Sequence, residues 1–330
     1  MKSVLITGGP GFLGSSIVRS VIERNPDRIR VLALPGEPTD NVDDLDVEVV
    51  RGDVRSREDC ERIVEGIDTL FHPAAIYKAW MADPTPMYEV NLRGTFNMLE
   101  AARRAGVDKT VFTGSIVAVG RPPRGQLGDE STRYDAWDID FSYSRTKLLS
   151  RWIAEDFARW GMDVRIVCPG VVLGPRDIAP TPSGELIINT LQQVGPPITV
   201  DGGANYVDVR DAAEVHVLAA EKGEPGSMYM ATAHNLTNLE LVEKVNEVAG
   251  VNRRYFKLPA GVARKLIGGM EKQAIRQGKE PEMSTNFFEY SLKPSFYRND
   301  RAVRDLGATF RPIEETIRDA IDWFRTRGVV

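Results

Sequence analysis

Tyr143 and Lys147 stand four residues apart in "YSRTK" (143–147), a spacing that stacks both side chains on one face of a helix. A free phenol titrates near ~10 and is a poor base at neutral pH. An ammonium one turn away favours the phenolate and tunes the group toward proton transfer. With nine tyrosines in the chain the pair alone is weak, and its context decides whether it is catalytic.

The elements that position such a pair are legible around it. "SVLIT" (3–7), "RVLAL" (30–34), "VEVV" (47–50), "DTLFH" (68–72), "KTVFTGS" (109–115) and "DVRIVC" (163–168) read as strands. Between them, 12–24, 88–106 and 143–161 carry a helical period. Alternation of this kind predicts an α/β fold, a Rossmann-type doubly wound parallel sheet. Residues 1–168 form the expected nucleotide-binding domain, completed by segments near 205–232. Residues 169–330, richer in Pro and Gly and ending in helices from about Leu239, are expected to form mainly a smaller substrate-binding lobe.

"TGGPGFLG" (7–14) follows the first strand at once and opens the first helix. Gly8, Gly11 and Gly14 allow a tight turn and close backbone approach to a pyrophosphate, while the helix N-terminus offers unpaired N–H groups. No GK[ST] follows, which excludes a phosphate-transfer P-loop. The residue some 20 positions on, which usually contacts the adenosine ribose, is Leu34, neither acid nor arginine. Glu37, Asp40, Asp43, Asp44 and Asp46 beyond it disfavour a 2′-phosphate and tilt the expectation slightly from NADP toward NAD.

The remaining composition excludes other classes. A net charge of −5 argues against nucleic acid or an anionic membrane as main partner. Two distant cysteines, Cys60 and Cys168, suit a reducing compartment and give no zinc site. His72, His216 and His234 lack paired spacing, show no partner in sequence, and predict no metal. No apolar run approaches the ~18 residues of a membrane span, and "MKSVLITGG" enters a strand without a signal-peptide cleavage site. The expectation is a cytoplasmic protein.

With these blocks in view the chain resembles the extended short-chain dehydrogenase/reductase family of NAD-dependent epimerase/dehydratase type. It is similar above all to dihydroflavonol-reductase-like proteins and to the subgroup called hopanoid-associated sugar epimerases. "RGDV" (51–54), "FHPAA" (71–75), "YEVNLRGT" (88–95), "TGSIVAVG" (113–120) and "CPGVVLGPRD" (168–177) fall in the family's order. The resemblance implies a catalytic Ser115 beside Tyr143 and Lys147. It implies cofactor contacts from Thr7, Gly8, Gly11, Phe12, Leu13, Gly14, Leu34, Asp53, Val54, Ala74, Ala75, Asn91, Tyr143, Lys147, Pro169 and Val172. Gly114 departs from the more usual serine or threonine, so no second hydroxyl is expected there.

Ketone reduction and sugar-nucleotide epimerisation share this trio. Epimerases resembling the chain grip the diphosphate with an asparagine and an arginine; Cys168 and Ala204 stand at the matching positions. Arg176, Arg210 and Arg253 are possible substitutes. Tyr77, Trp80, Met81 and Met87 in "IYKAWMADPTPMY" (76–88) suit an apolar small-molecule substrate near Ser115 and Tyr143, or else pack between the lobes. The leading expectation is an NAD(P)-dependent ketoreductase or alcohol dehydrogenase. A nucleotide-sugar epimerase or dehydratase with tightly held NAD is the alternative, and a non-enzymatic redox sensor ranks last because Tyr143 and Lys147 are both present. The helices at 88–106 and 143–161, with the resemblance, imply a homodimer.

Overall fold

The computed structural model describes residues 1–192, 196–281 and 283–330. Six strands follow in the first half: β1 (Ser3–Thr7), β2 (Arg28–Ala33), β3 (Glu48–Arg51), β4 (Thr69–His72), β5 (Lys109–Thr113) and β6 (Val164–Pro169). A seventh, Met228–Ala231, pairs with β6 at the edge. Among the described residues these form one parallel sheet in the order 228–231, β6, β5, β4, β1, β2, β3, a doubly wound Rossmann-type arrangement. The strand order reverses between β1 and β4, which opens a crevice at their carboxyl ends.

The sheet is buried on both faces because successive side chains point oppositely. Leu5, Phe112, Ile166 and Cys168 join one apolar layer, beneath helices 57–63, 95–105 and 142–159. Val4, Ile6, Val111 and Val167 join the other, beneath helices 12–22 and 209–222. The segment after Asn205 therefore returns from the second lobe to cover this first sheet. Arg24 and Ser20 hold Glu214 across the two helices, the hydroxyl at 2.6 Å.

The smaller lobe packs a three-stranded sheet (171–173, 203–208, 234–237) against helices 182–192, 238–249 and 313–326. The last helix buries Ile313, Ile317, Ala320, Ile321 and Phe324, an i, i+4, i+7, i+8, i+11 stripe. Helix 238–249 begins on a capping box between Thr237 and Glu240 and ends at left-handed Gly250. One departure from expectation lies in the 88–106 helix, which opens with a π-helical turn over Glu89–Gly94. Gly94 sits there because an added Cβ would lie 2.6 Å from Val54 Cγ2.

Candidate active site

The glycine loop closes on itself at the crevice. Gly8 is left-handed (φ +59°), and its carbonyl accepts the Gly11 N–H at 3.1 Å. A Cβ on Gly14 would stand 2.1 Å from that oxygen. Helix 12–22 starts at Gly11 with neither a side-chain cap nor an acid in its first turn. The N–H groups of Phe12 and Leu13 thus have no intrahelical acceptor, and the positive helix end faces the crevice. This cradle fits the pyrophosphate of a dinucleotide.

Behind the loop a hydrogen-bond relay joins three elements. The Ala74 N–H donates to Thr7 Oγ1 (3.3 Å), which lies 2.8 Å from His72 Nδ1. His72 Nε2 lies 3.3 Å from Thr95 Oγ1, which donates to the Asn91 carbonyl at 2.7 Å. A neutral imidazole protonated on Nε2 satisfies every member of this chain. Burial, with the Lys147 charge nearby, pushes the His72 pKa down to about 3 and holds it in that form. Thr7, Ala74 and their neighbours are in this way fixed beside the glycine loop. Ala75 follows at the exposed lip of the turn.

At the end of β2, the Leu34 N–H donates to Glu37 Oε2 at 2.7 Å, so a carboxylate sits where the ribose edge is expected. Arg51 donates to the Leu34 and Glu37 carbonyls at 2.9 and 2.6 Å from the next strand. Asp53 is forked by Arg55 (2.6–3.1 Å), which lowers its pKa. Val54 is buried, and its carbonyl accepts from Asn97 at 3.1 Å. Asn91, expected beside the cofactor, spends its amide on the protein. Its Oδ1 accepts the Ile76 N–H (2.8 Å), and its Nδ2 donates to the Ile76 carbonyl (3.1 Å) and to Thr146 Oγ1 (3.0 Å). Pro169 ends β6 in register with Ala231, and the Val172 carbonyl accepts from Ser183 at 2.7 Å.

The chemically capable trio converges at the ends of β5 and helix 142–159. Ser115 follows β5, and its Oγ caps the short helix 116–119 by accepting from the Val117 N–H. Tyr143 is in the first turn of helix 142–159, and Lys147 lies one turn on. Burial raises the Tyr143 phenol well above its usual range and the Tyr77 ring adds to this, while a hydrogen bond with Ser115 works against it. Lys147 is 4% exposed, donates to the Thr113 carbonyl at 2.6 Å, and is pushed down by burial to about 8. The Lys147 ammonium turns to the Thr113 carbonyl at the strand end.

That strand end is held by a residue without a partner in sequence. His216 Nδ1–H donates to the Ala212 carbonyl (2.7 Å), which leaves Nε2 to accept from Thr113 Oγ1 (2.9 Å). Burial lowers its pKa to about 4. No sequence signal pairs it with Thr113; it lies on the buried face of helix 209–222. His234 instead donates from Nε2 to the Arg311 carbonyl at 2.9 Å, away from the trio. Gly114 has a local reason: a Cβ there would lie 2.6 Å from Cys168 Sγ, a thiol pushed up by burial to about 11.

Tyr77 packs on Tyr143 with ring centroids 4.7 Å apart and remains 37% exposed at the mouth. Phe141, Phe287 and Tyr290 close the wall behind it, with Phe141 centroids 5.5 and 5.1 Å from the other two. Trp80 and Met81 are half-buried in the same loop, whereas Met87 is fully buried and packs the interior. The arginines weighed as diphosphate anchors have protein partners. Arg210 forks onto Asp208 (2.8 Å) and also reaches Asp319 (2.6 Å). Arg176 lies 3.6 Å from Asp44 and against the Trp323 ring, and Arg253 donates to the Thr190 carbonyl at 2.7 Å. Among the described residues no group of three or more His, Cys, Asp or Glu could hold a metal, and no helix is long and apolar enough to cross a membrane.

Known proteins share this architecture. A dihydroflavonol 4-reductase-like protein of Synechocystis is 31% identical over 329 residues, covering 98% of this chain and 95% of its own. Sterol demethylase protein B of Methylococcus capsulatus is 30% identical over 334 residues, covering 99% and 100%. The crystal structure of gox2253 superposes with a TM-score of 0.88 at 32% identity, over 100% of this chain and 99% of that one. The model of the NAD dependent epimerase/dehydratase family matches residues 4–231. The chain belongs to that family: it is an oxidoreductase whose cofactor is a nicotinamide dinucleotide.

Proposed function

We propose that this enzyme interconverts a hydrophobic ketone and its secondary alcohol, with NAD(H) preferred over NADP(H). The observation that carries the reading is the wall against Tyr143. It is aromatic (Tyr77, Phe141), while the candidate diphosphate anchors Arg176, Arg210 and Arg253 are engaged by the protein. A diphosphate without a forked cation loses its strongest hold. The substrate named by the Methylococcus relative, a sterol, is of the apolar kind such a wall would take. The NAD preference rests on Glu37, whose carboxylate at the end of β2 repels a 2′-phosphate.

When bound, the nicotinamide ring supplies or accepts the hydride. In reduction, the Tyr143 phenol, kept protonated by burial, gives its proton to the developing alkoxide. Ser115 hydrogen-bonds the same oxygen and holds it in line. Lys147, anchored on Thr113, fixes the floor of the site and would hold a ribose hydroxyl of the dinucleotide. Oxidation requires Tyr143 to lose its proton against the effect of burial, so that direction gains rate as pH rises.

Two copies would pair through the helices 95–105 and 142–159, where Phe96, Trp152 and Trp160 are exposed; light scattering tests this. The free, buried thiols of Cys60 and Cys168 suit the cytoplasm. The deciding experiment is a fluorescence titration with NADH and NADPH, followed by a panel of cyclic and long-chain ketones and alcohols. Tighter NADH binding with turnover of apolar members supports the reading. Failure on the whole panel with cofactor bound overturns it. So does NAD that resists stripping together with nucleotide-sugar interconversion, which would establish the epimerase alternative.

A further inference from the structure

Helix 260–276 is amphipathic, yet Ala263 is its only buried residue. Val262, Leu266 and Met270 recur every four residues and are 48, 53 and 58% exposed. At 100° per residue they occupy an arc of about 80° on the outer surface of the lobe. Phe256, four residues before the helix, is 70% exposed, and its neighbour in the parallel pair, Ile198, is exposed beside it.

The charges on this helix are sorted. Its acid, Glu271, faces inward and accepts from the Thr285 N–H at 3.0 Å, and Arg264 is forked by Glu289 at 2.9 Å. Lys265, Lys272, Arg276 and, just beyond the helix, Lys279 remain, and among the described residues none has an acidic partner within salt-bridge distance. Lys265, Lys272 and Arg276 fall within an arc of about 40°, alongside the apolar ridge. The chain as a whole carries −5, which argued against an anionic surface; this face has the opposite sign.

We infer that helix 260–276 seats the enzyme on an anionic phospholipid surface, with Val262, Leu266 and Met270 at the acyl boundary and the cation row on the phosphates. The loop that follows the helix is tied to the substrate mouth: Lys78 donates to Glu280 at 3.0 Å, and its neighbour Tyr77 packs on Tyr143. Docking therefore brings the aromatic mouth to the bilayer, from which an apolar substrate enters directly. The docking stands on the helix alone; only this supply route rests on the reaction proposed above.

The test is co-sedimentation of the full chain with sucrose-loaded vesicles. Equal phosphatidylglycerol and phosphatidylcholine are compared with phosphatidylcholine alone, at low and high salt. Retention on the anionic vesicles, weakened by salt, is expected. The variant K265Q/K272Q/R276Q should bind about a hundredfold more weakly, at about fivefold per cation. Leu266→Glu with Met270→Glu should abolish binding, and an unchanged NADH affinity in both variants shows that the fold is intact. No retention on anionic vesicles, or retention unaffected by either set of substitutions, overturns the inference. It is also overturned if the Leu266→Glu and Met270→Glu pair instead dissociates a self-associated form that ignores vesicles, because the face then belongs to a second copy. Vesicle binding without turnover of any ketone would sink the proposed reaction and leave the docking standing.

Discussion

Replacing Lys147 by methionine should make the protein inactive and, at neutral pH, no less stable. Burial holds the Lys147 ammonium near pKa 8, against 10.5 in an open chain. That gap corresponds to about 3 kcal/mol of folding free energy. Below pH 8 both the folded and the unfolded chain hold the proton, and the whole penalty is present. Between pH 8 and 10.5 the unfolded chain binds more protons, so stability rises with pH until the penalty has gone. Methionine fills nearly the same volume and removes the charge, but it leaves the Thr113 carbonyl without its donor, at a cost of about 1–3 kcal/mol. At pH 7 the two effects roughly cancel. The sharper quantity is the difference between wild type and Lys147→Met as pH changes, since groups that do not feel the Lys147 charge drop out. His72 and His216, pushed down to about 3 and 4, stay neutral across that range. Urea unfolding at pH 7 and pH 10 should shift that difference by about 2–3 kcal/mol in favour of wild type. A difference constant to within about 0.5 kcal/mol would show that Lys147 is not desolvated in the folded state, and the argument from burial would fail.

Tyr143→Phe should lower kcat by about 10²–10⁴-fold with little change in NADH affinity, read by steady-state kinetics and fluorescence. Gly14→Ala sets a Cβ 2.1 Å from the Gly8 carbonyl and should weaken cofactor binding at least tenfold while costing about 1–3 kcal/mol in a melting assay. Gly114→Ser should destabilise by a similar amount through its contact with Cys168, and Cys168→Ala should restore most of the loss. A double-mutant cycle without coupling of about 1 kcal/mol or more would disprove the packing account. Asn91→Leu removes three hydrogen bonds that join Ile76 and Thr146, and should cost about 2–4 kcal/mol in urea unfolding with only an indirect effect on cofactor affinity.

The features decided by short-range physics were legible in the sequence. The glycine loop announces itself because a left-handed turn at Gly8 and contact between Gly14 and the Gly8 carbonyl tolerate no side chain, and both lie within eight residues. Buried parallel strands read as apolar runs, and the helix bearing Tyr143 and Lys147 declares itself through its period. What tertiary structure decided is where each polar group spends its bonds. Asn91 turned out to join Ile76 to Thr146, and Lys147 to grip Thr113, because those partners arrive from 15, 55 and 34 residues away. His216 became part of the site through Thr113, 103 residues distant, a pairing that no local pattern encodes. The same holds for helix 260–276. Its period gives a helix, but only the packed molecule determines which face stays uncovered, since burial depends on what the rest of the chain brings against it.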